Sequence, residues 1–137
     1  MVDVVDGLIE IMKCNTVIRN LLNDKIYGSS LPDELIEEMP IKCISIKPAG
    51  GIEKNKSTST NRDRFDLWCY GETEYEANQT SMAVRDCLEN VGRKTIKNML
   101  IHSIGVAGGY KDIDPDNDFP ALIVTVLVTY DNREIGG

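Results

Sequence analysis

The acidic stretch between residues 112 and 118 holds the side chains best suited to binding a cation. Its aspartates alternate at Asp112, Asp114, Asp116 and Asp118. A calcium-binding loop of the EF-hand type begins in this way, but it needs Gly at its sixth position and Glu at its twelfth. Counted from Asp112, those positions hold Asn117 and Ile123. The stretch is therefore predicted to be a solvated turn that leads into a strand.

The single histidine, His102, is the other candidate for acid-base chemistry, because the ordinary pKa of histidine lies near neutrality. It lies between Ile101 and Ser103 in a segment predicted to be a strand, and this position favours a structural role. One hypothesis is a small metal- or ligand-binding enzyme that uses His102 with the 112–118 turn. Since neither feature supplies a nucleophile beside a base, we expect no catalytic residue, no cofactor and no metal site.

The cysteines and glycines give no stronger sign of chemistry. No CxxC pair occurs among the four cysteines, so zinc binding is not expected and packed free thiols are predicted. These cysteines are Cys14, Cys43, Cys69 and Cys87. The glycine clusters at residues 50–51 and 105–109 do not open a helix, and no GKS or GKT follows them. Both clusters are therefore predicted to be turns.

The charge of the chain limits its partners. Its net charge of −7 and pI near 4.7 argue against a protein that grips nucleic acid through the phosphates. The segment from Lys54 to Arg64 nevertheless carries a local positive surplus. Its basic residues are Lys54, Lys56, Arg62 and Arg64. They are expected to meet an acidic neighbour or to contact DNA weakly, or simply to be solvated.

The length and hydropathy of the chain favour a single globular domain over residues 1–137. The first residues lack the basic start and apolar run of a secretory signal. No stretch reaches the roughly 18 apolar residues of a membrane span, so no membrane partner is expected.

Two helices are predicted from apolar residues at spacings of three and four. The first covers Asp3–Asn23, where Gly7 and Asn15 weaken the helix without stopping it. The second covers Glu74–Val91 and follows Thr73, which forms a capping-box pattern with Glu76. A shorter helical turn is possible at Pro32, within a connection over residues 26–40.

Four strands are predicted from alternation and from their bounding turns. They are Ile41–Lys47, Arg62–Tyr70, Met99–Val106 and Phe119–Tyr130. A long polar loop, Pro48–Asn61, joins the first two. The expected fold class is α+β, a mainly antiparallel four-stranded sheet with two packed helices.

The last strand is apolar on both faces, so something must cover each side. Two helices cover only one side, and the other side is predicted to contact another subunit. The predicted interface residues are Trp68, Tyr70, Ile123 and Leu127, with the basic residues Lys54, Lys56, Arg62 and Arg64. The 48–61 loop is expected to be mobile in the free subunit and ordered by a neighbouring subunit or a stacked ring. The candidate docking sites for its basic residues on the next copy are the acidic stretch Asp33–Glu38 and the turn Asp112–Asp118, and the lining of the ring's channel is the competing location.

The order of these features resembles the tail completion, or tail terminator, family of tailed bacteriophages. The matching features are the N-terminal helix, the region Tyr27–Pro32, the aromatic strand Phe65–Cys69, the helix over Ala77–Leu88, the aspartate-rich turn and the strand with Ile123, Val124, Val126 and Val128. The four cysteines and the acidic stretch Asp33–Glu38 depart from the family pattern.

The resemblance implies a structural virion protein that is not an enzyme. Subunits of that family form a hexameric ring, a homo-oligomer that caps the tail tube protein and provides the surface for neck and head-tail connector proteins. DNA would pass through the ring without specific binding. The protein would be assembled in the host cytoplasm and end in the virion. A neck protein, either a head-tail connector or a head-closure subunit, is the related alternative.

Overall fold

A computed structural model describes residues 4–28, 31–49, 53–54, 60–97, 99–115 and 117–132. The helices are α1 Val4–Lys13, α2 Thr16–Leu22, α3 Asp33–Ile36 and α4 Glu74–Glu89. The strands are β1 Ile26–Tyr27, β2 Cys43–Pro48, β3 Glu53–Lys54, β4 Thr60–Tyr70, β5 Lys94–Ile96, β6 Met99–Ile113 and β7 Pro120–Asn132. Within these ranges, no helix has the length and apolar character needed to cross a membrane.

All strands belong to one sheet, which curls into a half-barrel. Six of them follow one another in the order β1-β2-β4-β7-β6-β5, and β3 pairs with β4. Every pairing is antiparallel except the parallel pair β1–β2. The α+β class and the antiparallel character are confirmed, but the prediction of four strands was wrong. The strands that were missed, β1, β3 and β5, have only two or three residues each, too few for a periodic pattern.

The predicted N-terminal helix is two helices, because Asn15 breaks it. The backbone of Asn15 is extended, with φ −84° and ψ 122°, and its side-chain oxygen accepts a hydrogen bond from the Ile18 amide at 3.0 Å. Asn is among the residues that favour this N-cap position. The expectation that Asn15 only weakens one continuous helix was therefore wrong. The short helix expected near Pro32 is confirmed as α3.

Helix α4 begins where the sequence predicts. The hydroxyl oxygen of Thr73 accepts a hydrogen bond from the Glu76 amide at 3.2 Å, and the Glu76 carboxylate accepts one from the Glu72 amide at 2.9 Å. Both bonds satisfy amides near the helix start that have no partner within the helix. The helix packs across β4, β6 and β7 through a side on which Ala77, Val84 and Leu88 are buried.

Two apolar clusters lie on opposite faces of the sheet. The larger one packs α1, α2 and α4 against the side chains of β4 and β7 that include Phe65, Leu67, Val124 and Val126. The smaller one packs the segment around α3 against Trp68, Tyr70 and Ile123. The predicted alternation of β4 and β7 is thus confirmed, since successive residues enter different clusters.

Strand β6 runs through the glycines at 105, 108 and 109, which were predicted to be turns. The register with β7 shifts between Ala107 and Tyr110, so Gly108 and Gly109 form an irregularity within the strand. A Cβ atom at Gly109 would lie 3.0 Å from the carbonyl oxygen of Ile123 on β7. Gly109 therefore permits a close approach of two backbones rather than a reversal of the chain.

The predicted polar loop over residues 48–61 is partly strand. Pro48 belongs to β2, β4 begins at Thr60, and Glu53 pairs with Arg62 in the β3–β4 ladder. The expectation of a single long loop was wrong to that extent. The predicted mobility concerns residues 50–52 and 55–59, which lie outside the described residues.

Candidate functional site

The sheet face opposite α1, α2 and α4 is covered at one end only. There the smaller cluster lies against the β2–β4 end that holds Trp68 and Tyr70. Towards the start of β4 the same face carries two cross-strand rows, defined by register. One row is Arg64, Leu127 and Gly105, and the other is Arg62, Thr129 and Ser103. These residues are exposed or half-buried, and we call this region the open face.

Three of the predicted interface residues are not available on the surface. Trp68 is 9% exposed, and Tyr70 and Ile123 are fully buried. They are covered by Leu31 and Leu35 of the segment that precedes β2. The expected exposure of this aromatic patch was wrong, because no local pattern places that irregular segment over the sheet. A role of the three residues in subunit contact stays a prediction, and it would require the covering segment to move.

The remaining predicted interface residues are dispersed. Arg62 and Arg64 are exposed on the open face, and Leu127 is half-buried between them and β6. Lys54 belongs to β3 through its backbone. Lys56 lies outside the described residues. The structure therefore brings together Arg62, Arg64 and Leu127 and separates them from the buried aromatic group.

Asp114 is the most unusual polar residue on this side of the sheet. It is 1% exposed, and its Oδ1 atom lies 2.8 Å from Nζ of Lys47. Its other oxygen accepts hydrogen bonds from the Tyr70 hydroxyl and from Nδ2 of Asn117. The Lys47 ammonium also lies 4.7 Å from the centre of the Trp68 ring. The prediction of a solvated acidic turn was therefore wrong for Asp114, whose carboxylate is compensated by a cation and two donors.

Local geometry fixes this turn above the smaller cluster. The amides of Asn117 and Asp118 donate to the Asp114 carbonyl oxygen at 3.2 and 2.7 Å, and the Phe119 amide donates to Oδ1 of Asn117 at 3.0 Å. Asp118 adopts a left-handed conformation with φ 62°, which Asp tolerates better than most residues. These hydrogen bonds form within the turn and hold its shape, so that the Asp114 side chain is directed towards the smaller cluster.

Burial raises the pKa of several groups beneath this turn. Desolvation, followed by the hydrogen bond to Asp114, raises the pKa of Tyr70 well above its usual range. Desolvation also raises the pKa of the Cys43 thiol to about 12. Both groups therefore stay neutral at neutral pH, and the thiol is a packing group rather than a nucleophile.

Sequence reasoning missed Asp114 and Lys47 as partners. They are separated by 67 residues, and nothing local distinguishes Asp114 from the neighbouring aspartates. The one available signal was Lys47 itself, a cation at the end of a strand bounded by prolines. This signal indicates a cation on the sheet, but it does not indicate which carboxylate pairs with that cation.

Helix α3 forms an acidic ridge at the covered end of the sheet. Leu35 points into the smaller cluster, while the carboxylates point to solvent. The exposed carboxylates are Asp33, Glu34, Glu37 and Glu38. None of them forms an ion pair with a described residue. We call this feature the acidic ridge.

The outer edge of β6 is open along most of its length. Strand β5 pairs only with residues 99–101 of β6, and beyond them the edge has no partner strand in the described part of the chain. Two large apolar side chains near the far end are solvent-exposed, Tyr110 at 52% and Ile113 at 59%. An exposed edge of this length is a template for pairing with another chain.

A cleft of about 290 Å³ lies between the start of α4, the residues before β2 and the start of β7. Its walls include Met39, Ala77, Phe119 and Leu122, with Glu74 and Lys111 at the rim. Those two charges form an ion pair with each other. The walls carry no histidine, cysteine or serine, and the Thr73 hydroxyl among them accepts the capping hydrogen bond from the Glu76 amide.

His102 lies far from the acidic turn. Its Nε2 atom is 3.1 Å from Oδ2 of Asp131, at the end of β6 opposite to residue 113. At about 3.3 Å per residue, the ten steps along β6 from His102 to Asp112 correspond to roughly 33 Å. The structure does not bring together the residues that the enzyme hypothesis required. Among the described residues, no three His, Cys, Asp or Glu side chains form a cluster that could hold a metal.

The fold is similar to that of a solved virion chain. A chain described as "Virion of native gene transfer agent (GTA) particle" superposes with a TM-score of 0.70 at 11% sequence identity. The match covers 93% of this chain and 97% of the other. No protein-family model and no curated protein matches the sequence. At this identity the likeness establishes a shared fold over nearly the whole of both chains.

Proposed function

We propose that this protein is a structural subunit of a tailed, phage-like particle, and that it acts as the tail terminator. In that role a ring of copies, six by the family resemblance, caps the tail tube and offers a surface to the neck. The observation that carries the proposal is the likeness to a virion chain over 93% of this protein and 97% of the other. The match spans nearly all of both chains, so the likeness concerns the whole fold rather than a common motif.

The surface of the molecule supports an assembling role. The open face and the unpaired edge of β6 leave backbone groups and apolar side chains that a second protein would cover. A ring requires one repeated contact between two different surfaces of the subunit. The open face and the acidic ridge are two such surfaces on the same chain.

Deletion of the gene in a strain that produces the particle tests this role. Electron microscopy of the lysate should show tails of abnormal length, because an uncapped tube continues to grow. Expression of the intact gene from a plasmid should restore uniform tails. Normal tails that stay unjoined to heads would instead indicate a neck protein, and normal complete particles would contradict both roles.

A further inference from the structure

The open face and the acidic ridge carry opposite charge at opposite ends of the same sheet face. Arg62 and Arg64 project from the first part of β4, and the ridge lies over its last residues. Six residues separate Arg64 from Tyr70, so the two regions are about 20 Å apart along the strand. Within one subunit the basic and acidic groups therefore do not meet.

Several of these charges lack a partner within the subunit. Arg64 is exposed and has no ion pair or side-chain hydrogen bond with a described residue. The same is true of the four carboxylates of the ridge. Exposed charges are common, but here a basic group and an acidic group, neither with a partner among the described residues, lie on the same side of the sheet.

We infer that the acidic ridge of one copy docks on the open face of the next copy, around Arg62, Arg64 and Leu127. This inference rests on the proposed ring-forming function and names the contact that closes the ring. The contact joins two different surfaces, so it repeats head to tail as a cyclic assembly requires. Leu127 and the small residues Ser103 and Gly105 give the ridge a shallow floor between the arginines and the edge of β6.

A second copy fits this surface better than nucleic acid. The chain as a whole carries a net charge of −7, which opposes the approach of a phosphate backbone. The ridge, in contrast, places four carboxylates on a short raised element held by Leu35. Complementary charge of this kind directs association and selects the partner.

Reversal of charge on each surface tests the contact in the full-length protein. One variant combines Arg62→Glu with Arg64→Glu, and the other combines Glu37→Lys with Glu38→Lys. The first variant alone brings glutamates against the ridge carboxylates at every contact, and the second alone leaves a ridge without net charge against the arginines. Sedimentation velocity at low ionic strength should show the concentration for half-assembly rising by about tenfold or more for each.

An equimolar mixture of the two variants should recover assembly. In an alternating ring, the unchanged ridge of one variant meets the unchanged arginines of the other, and at the remaining contacts the two introduced lysines meet the two introduced glutamates. Every contact in the mixture is then attractive. High salt should reduce the difference between the variants and the parent protein, because it screens exposed charges.

Matched controls carry the same change in charge on other surfaces. Arg93→Glu with Lys94→Glu lies at β5, and Asp86→Lys with Glu89→Lys lies on the outer side of α4. Both should assemble like the parent protein. Circular dichroism of all four variants establishes that each is folded.

The contact is wrong if the mixture assembles no better than the separate variants, or if the parent protein stays monomeric at millimolar concentration. The contact is also wrong if neither charge reversal changes assembly while Arg62→Glu with Arg64→Glu reduces retention of the protein on a DNA column. That result would indicate that the arginines bind DNA. Gene deletion tests the tail role separately. If deletion gives abnormal tails but the charge reversals do not change assembly, only this contact is refuted. If deletion leaves normal particles but the mixture of variants recovers assembly, only the tail role is refuted.

Discussion

The Lys47 ammonium lies 2.8 Å from the Asp114 carboxylate, which is almost completely excluded from solvent. This pair joins β2 to the turn between β6 and β7, and Tyr70 contributes a further hydrogen bond from β4. A buried carboxylate costs free energy unless it is compensated, so the three groups depend on one another. The acidic turn is thereby attached to the end of the sheet that α3 covers.

Replacement of Asp114 by Asn should destabilise the protein by about 2 to 3 kcal/mol, because the neutral amide no longer balances Lys47 and has only one acceptor oxygen. Urea denaturation followed by circular dichroism measures this change. Asp112→Asn is the control, since Asp112 is exposed and, among the described residues, its side chain accepts a hydrogen bond only from the Ile113 amide. Equal effects at both positions would show that Asp114 has no special role.

Removal of the Asn15 cap should destabilise α2. Asn15→Ala loses the hydrogen bond from the Ile18 amide and is expected to cost about 1 kcal/mol. Asn20→Ala, at an exposed position inside the same helix, should be neutral or slightly stabilising because Ala has the higher helix propensity. Thermal unfolding of both variants gives the comparison. A cost at Asn20 as large as that at Asn15 would contradict the capping role.

Alkaline pH should destabilise the fold, in part through Cys43. The pKa of its thiol is raised from 9.0 to about 12 by burial, so between these values only the unfolded chain releases the proton. The contribution of Cys43 is therefore fully present below about pH 9 and is lost as the pH rises towards 12. One proton corresponds to a slope of about 1.4 kcal/mol per pH unit.

Cys43→Ala should remove that part of the slope, whatever its effect on overall stability. Cys14→Ala, at an exposed thiol, should keep the slope of the parent protein. The free energy of unfolding measured in urea at several pH values between 8 and 11 checks both. A slope unchanged by Cys43→Ala would mean that other groups account for the alkaline loss.

The exposed edge of β6 should matter for assembly but not for folding. Tyr110→Lys with Ile113→Lys adds charge at two exposed apolar positions, which disfavours pairing with another chain. We expect weaker self-association at unchanged melting temperature. Met82→Lys on α4 is an equally exposed control. If the control weakens association and the edge variant does not, the helical layer is the contact surface.

The sequence predicted those elements whose side chains repeat over several turns or many strand residues. Strands β4 and β7 and helix α4 were placed correctly because burial of one face imposes a period on the sequence. Helix α4 also carries its own start signal at Thr73. Short elements such as β1, β3 and β5 depend on pairing partners far along the chain, so no local pattern marks them.

Two kinds of feature could not be predicted from the sequence: polar contacts between residues far apart in the chain, and the covering of sheet residues by irregular segments. Tyr70 alternates as an outward residue, yet the α3 segment returns over it and buries it. The break at Asn15 and the continuity of β6 through Gly109 follow from local geometry that the apolar pattern does not contain. For the candidate site, the basic side chains of the open face and the acidic stretch Asp33–Glu38 were foreseen, but the covering of Trp68 and Tyr70 by the α3 segment and the burial of Asp114 were not.

The location of the chain within the particle tests the account most directly. Cryo-electron microscopy of particles from a strain that encodes this protein would show where its density lies. The account predicts a closed ring of copies at the head-proximal end of the tail tube, with the acidic ridge of each copy on the open face of the next. Density for this chain elsewhere in the particle, or particles complete without it, would contradict the account.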